Sequence, residues 1–90
     1  MPKFVIERNI PGAGRYSPAE LRAASSKSCR TLGELGPEIQ WIQSFVTDDK
    51  LFCVYFASGE EIIREHALRS GFPADAIREV KTVIDPASAE

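Results

Sequence analysis

The amino-acid sequence predicts an α+β domain with the element order β-α-β-β-α-β. Three observations predict it: four short runs rich in β-branched and aromatic residues, two longer stretches with helical periodicity, and Gly or Pro breaks between them. Ninety residues, 43% of them hydrophobic, suffice for one core and no second one. Residues 1–90 are therefore expected to form a single domain, closed by a polar C-terminal tail at 85–90.

Lys3 to Arg8 (Lys-Phe-Val-Ile-Glu-Arg) reads as the first strand and stops at Asn9-Ile10-Pro11-Gly12-Ala13-Gly14. Ser17-Pro18-Ala19-Glu20 supplies an N-cap serine, a proline at the first helical position and a glutamate placed to bond back to the cap. Leu21, Ala24, Ser28, Leu32 and Leu35 then recur at helical spacing until Gly36-Pro37, which predicts a helix from Pro18 to Leu35. Ile39 to Thr47 and Leu51 to Ala57 are β-rich runs joined by Asp48-Asp49-Lys50, a hairpin connection. Ser58 and Glu61 have capping-box spacing, and Ile62, Ile63, His66, Ala67 and Ser70 share one side of a second helix, Gly59 to Ser70, ended by Gly71-Phe72-Pro73. Ile77 to Ile84 alternates loosely as a last strand.

Two right-handed βαβ crossovers joined by a hairpin give the ferredoxin-like arrangement, with strands one and three central and both helices on one sheet face. The third strand is apolar on both sides, Leu51, Cys53 and Tyr55 on one and Phe52, Val54 and Phe56 on the other, so it is expected to be covered twice. The second cover is most simply the sheet of another subunit, in a homodimer of the dimeric α/β-barrel type. A domain of this size buries only about 60 to 65% of its unfolded surface, which adds to the need for a partner.

The net charge of -2, with basic residues scattered along the chain, gives no stripe for phosphates and argues against nucleic acid. No apolar run approaches the length of a membrane span, and the start Met-Pro-Lys-Phe-Val lacks the apolar core of a signal peptide, so a cytoplasmic protein is expected. Cys29 and Cys53 form no CxxC and are expected to be free thiols used in packing.

His66, the single histidine, falls on the sheet-facing side of the second helix. It is either a core histidine satisfied by one hydrogen bond or a metal ligand or general base at the rim of a helix–sheet cleft. Cys53, Glu65 beside the histidine, and Glu7 in an otherwise apolar strand are the side chains that would complete such a site. Each has a structural alternative: packing for Cys53, a one-turn pair with Arg69 for Glu65, and projection from the open sheet for Glu7. Trp41 and Tyr55 can line an aromatic pocket or serve the core. Pro11-Gly12-Ala13-Gly14 lacks the following Lys-Ser/Thr of a phosphate loop.

Pro2-Lys3-Phe4-Val5-Ile6-Glu7-Arg8 with Ile10 to Gly14, Ile39-Gln40-Trp41, Phe45 to Lys50, Cys53-Val54-Tyr55, Arg64-Glu65-His66-Ala67 and Gly71-Phe72-Pro73-Ala74 together resemble a bacterial family of small uncharacterised proteins. One actinobacterial member of that family is described as a nickel-binding protein with a dimeric ferredoxin-like fold. The resemblance implies a cytoplasmic dimer able to hold nickel or a similar divalent ion, for buffering or sensing. Imidazole suits nickel, and carboxylate, thiolate or water can fill the other positions. His66, Cys53, Glu65 and Glu7 are the candidate ligands by residue type and placement. The competing expectations are an enzyme that uses the cleft around His66, monooxygenase-like or haem-binding by analogy of fold alone, and a protein that only associates.

Overall fold

Strict alternation builds the first strand, β1 (Lys3–Asn9): Phe4, Ile6 and Arg8 are buried, and Lys3, Val5 and Glu7 lie on the opposite side. The computed structural model describes every residue from Met1 to Glu90. After β1 come α1 (Pro18–Leu35), β2 (Ile39–Val46), β3 (Lys50–Ala57), α2 (Glu60–Ser70) and β4 (Ala76–Glu79). The sheet runs β2-β3-β1-β4 with every neighbouring pair antiparallel, so the expected ferredoxin-like topology with β1 and β3 in the centre is present.

α1 starts as the sequence implies. Ser17 Oγ accepts from the Glu20 amide at 3.1 Å while the Ser17 amide donates to Glu20 Oε1 at 2.9 Å, with Pro18 at the first helical position. α2 starts differently from expectation. Its N-cap is Gly59, with no side-chain cap, because the Ser58 amide is still engaged with the Glu38 carbonyl at the end of the β2–β3 hairpin. Both helices lie over one face of the sheet, where Phe4, Ile6, Ile39, Cys53, Tyr55, Ala57 and Ile63 form the core and Leu32, Leu35 and Ile62 pack against it.

β4 is shorter than the run Ile77 to Ile84 suggests. Glu79 pairs with Phe4, and the Val80 amide makes the last bond, to the carbonyl of Lys3, the first residue of β1. Val83 and Ile84 are left exposed. The tail is not featureless, since Asp85 caps a short 3₁₀ turn over Pro86–Ala89. Cys29, expected to pack, is exposed on α1, whereas Cys53 is buried and both thiols are free.

Two local features shape the inner face of the sheet at the end of β1. Gly71 at φ 79° ends α2 in the left-handed conformation, its amide donating to the Ala67 carbonyl, and throws Phe72-Pro73 back toward β1. In β2 the register shifts between Trp41 and Gln43, so Ile42 is an extra, bulged residue. Trp41 pairs with Tyr55 and Ser44 with Cys53, so both face the helices although they are three positions apart.

Candidate functional site

Arg8 occupies the register position after Phe4 and Ile6, which puts a guanidinium where a core side chain would stand. It is 1% exposed. Nη1 donates to the Pro73 carbonyl at 2.7 Å and Nη2 to the Tyr55 hydroxyl at 3.3 Å. The guanidinium carbon lies 5.9 Å from the centre of the Phe72 ring, a cation–π contact supplied by the same Gly71 turn. The ion pairs of the fold are Glu7–Lys50, Glu60–Arg64, Glu65–Arg69, Glu34–Arg69 and Glu79–Lys81, and none includes Arg8.

Behind Tyr55 the two helices are bridged by a polar contact. Ser28 Oγ of α1 meets His66 Nε2 of α2 at 3.1 Å, and the imidazole ring centre is 5.6 Å from that of Tyr55, tilted by 57°. His66 is fully buried, and its other ring nitrogen, Nδ1, has no partner. Burial first, and then the positive charge of Arg8, lower the His66 pKa from 6.5 to about 4, against the opposing effect of a hydrogen bond to the Ser28 backbone. Burial pushes the Tyr55 hydroxyl up, with Arg8 acting in the opposite sense. At neutral pH the imidazole and the phenol are both uncharged, and Arg8 holds the single charge of the group.

This group borders a cavity of about 540 Å³ between α1, the sheet and the loop after α2. Arg8, Ser28, Ser44, Cys53 and Tyr55 are on its wall, among apolar side chains that include Leu21, Trp41 and Phe72. Trp41 is fixed there by its indole N–H, which donates to Ser44 Oγ at 3.0 Å across the bulge. No Asp or Glu lines the cavity. Its volume lies in the range of about 300–1,000 Å³ usual for small-molecule sites, as does the mixture of an apolar wall with a few polar groups.

The structure separates the four side chains singled out as ligands. His66 and Cys53 belong to the same helix-facing layer, although His66 stands behind Ser28 and Tyr55 rather than on the cavity wall. Glu7 is on the opposite sheet face, paired with Lys50, and Glu65 is paired with Arg69 at 2.7 Å on the outer side of α2. No three His, Cys, Asp or Glu side chains come close enough to hold a metal ion. Sequence reasoning overlooked Arg8, the residue around which the site is built. Its signal was parity: it follows Phe4 and Ile6 at intervals of two.

The lowered histidine pKa has a consequence for stability. Unfolded histidine titrates near 6.5 and folded His66 near 4, so between these values the unfolded chain binds more protons and stability falls as the pH drops. The loss from this group reaches at most about 3 kcal/mol. Urea midpoints followed from neutral pH down to about pH 4.5 are expected to fall further in the wild type than in His66→Gln, whose amide does not titrate.

A model of the family described as nickel responsive protein SCO4226-like matches residues 4–80, a stretch that contains both helices and nearly all of the sheet. Among solved structures, the crystal structure of SCO4226 from Streptomyces coelicolor A3(2) superposes with a TM-score of 0.76 at 16% identity, covering 91% of this chain and 99% of that one. At that identity the likeness shows a common fold. The curated proteins include no match. No helix is long and apolar enough to cross a membrane. With the fold shared and the family match extending over most of its length, the chain belongs to the SCO4226-like family.

Proposed function

We propose that the domain is a cytoplasmic binding module that takes a small organic molecule into its helix–sheet cavity and works as a homodimer through the open sheet face. The cavity carries the reading: a chain of this size keeps about 540 Å³ open beside its core, lined by an aromatic and aliphatic wall with a few fixed polar groups. Binding is favoured over catalysis by the state of the nearest nucleophile and base. Ser28 and His66 are at hydrogen-bond distance, but no group orients Nδ1, and an imidazole with a pKa of about 4 is a weak base at neutral pH. A neutral fluorescent probe, N-phenylnaphthylamine, is expected to bind the wild type with energy transfer from Trp41, the one tryptophan, and to lose that signal in Ala24→Phe, which fills the cavity. Equal transfer in both proteins would place the probe elsewhere.

The dimer is supported by what the helices leave uncovered. Val5, Phe52, Val54 and Phe56 are only half-buried, and Phe45 is 54% exposed on the same face. Only 14 of 90 residues are buried in the single chain, so closing this face would add a second core. A stable contact needs about 800 Å² from each subunit. Sedimentation equilibrium is expected to give a dimer for the wild type and a monomer for Val54→Glu, which sets a carboxylate in the middle of the patch.

The family description links the chain to nickel, and the residues of one chain do not complete a nickel site. His66 offers one neutral imidazole and Cys53 lies in its layer, but Glu7 and Glu65 are engaged elsewhere and Arg8 puts a positive charge beside the ring. A nickel ion held at His66 would need further donors from a second subunit or a chelating ligand. Equilibrium dialysis of metal-stripped protein against nickel is expected to give the same low metal content for wild type and His66→Ala. A stoichiometric ion that disappears with the imidazole would make His66 a ligand.

A further inference from the structure

The cavity has a charge for which the chain provides no counterpart. A guanidinium has five N–H donors, and Arg8 directs Nη1 and Nη2 to a carbonyl and a phenol, both neutral acceptors. Taking such a cation out of water costs several kcal/mol unless an anion answers it. Proteins ordinarily supply the answer as a carboxylate, yet no ion pair of this fold includes Arg8 and no Asp or Glu lines the cavity. The chain as a whole is acidic, at -2, so the positive cavity is a local arrangement and not a reflection of composition. Near the same place Lys27 Nζ lies 5.6 Å from the centre of the Phe72 ring, a second cation against the ring that Arg8 also approaches.

We propose that the cavity takes an organic monocarboxylate, its carboxylate received by Arg8 and its apolar or aromatic body held against Trp41, Leu21 and Phe72. The inference rests on the reading of the cavity as a binding site and adds the chemical class of its occupant. The forked donor geometry of arginine matches a carboxylate and forms charge-assisted bonds stronger than those it makes to neutral oxygens. A single positive charge on the wall, with no lysine and no helix N-terminus lining it, suits a monoanion; a phosphate monoester would bring a second negative charge into an apolar enclosure with nothing to meet it. Tyr55 and Ser28, uncharged and on the wall, can hydrogen-bond the same carboxylate without repelling it.

The test compares each acid with its own amide. Decanoate, cyclohexylacetate and phenylpropanoate, each beside the matching primary carboxamide, are titrated into the full chain at neutral pH, followed by Trp41 fluorescence and calorimetry. The acids are expected to bind at least about tenfold more tightly than the amides, a difference of about 1.4 kcal/mol. The preference is expected to collapse to about twofold or less in Arg8→Met and to persist in reduced form in Arg8→Lys, which keeps the charge and loses the fork. Circular dichroism checks that the variants fold; should Arg8→Met not fold, the acid–amide comparison in the wild type and in Arg8→Lys decides. Equal binding of acids and amides by the wild type overturns the carboxylate inference and leaves the cavity reading standing. A preference for acids that survives Arg8→Met overturns the role of Arg8. Failure of acids, amides and the neutral naphthylamine probe alike overturns both readings.

Discussion

The constraint on which the rest of the site depends is a guanidinium held in a core position. Arg8 follows Phe4 and Ile6 in strict alternation, so β1 delivers a permanent charge to the inner face of the sheet. The surroundings answer this placement in several ways. The Gly71 turn brings the Pro73 carbonyl and the Phe72 ring to it, and β3 brings the Tyr55 hydroxyl. The same charge reaches the imidazole of His66 and helps to keep it neutral, which lets two helices meet over a polar Ser28–His66 contact without burying a second cation. Replacing Arg8 by an apolar residue would therefore alter the electrostatics of both aromatic neighbours as well as the contacts of one side chain.

β3 shows how two surfaces are served by one sequence. Leu51, Cys53, Tyr55 and Ala57 face the helices, and Phe52, Val54 and Phe56 face away, with the Lys3 ammonium 5.4 Å from the Phe56 ring at the far end. The inner set builds the core and the cavity wall, and the outer set builds the apolar face. A one-residue slip would exchange the two, which is why the pairing with β1 has to be fixed along its whole length from Lys3–Phe56 to Asn9–Lys50.

Much of the fold was legible because its signals are local. The Ser17–Glu20 box, the Gly36 and Gly71 stops and the alternation in β3 each belong to a few consecutive residues and need no partner to be read. The site was legible only in part. His66 declared itself by its place among Ile62, Ile63 and Ala67, but its partner Ser28 lies 38 positions away and was visible only as one member of the α1 stripe. Arg8 passed as one basic residue among many because its significance lies in what is missing around it, and a missing carboxylate is a fact of three dimensions. Glu7 and Glu65 looked available for the same reason, since the lysine and arginine that engage them are fixed by strand pairing and helix pitch. The length of β4 followed neither propensity nor pattern; it was set by where β1 begins.

The bulge at Ile42 reaches further than the orientation of Trp41. β2 is one border of the sheet, and its extra residue breaks the regular spacing of free amides and carbonyls that another strand would need in order to add on. The opposite border, β4, is only four residues long. Both borders are thus poor templates for edge-to-edge growth, and a chain with an apolar sheet is protected from polymerising in the plane of that sheet. What the two borders leave unhindered is the perpendicular direction, where the apolar face of β3 lies.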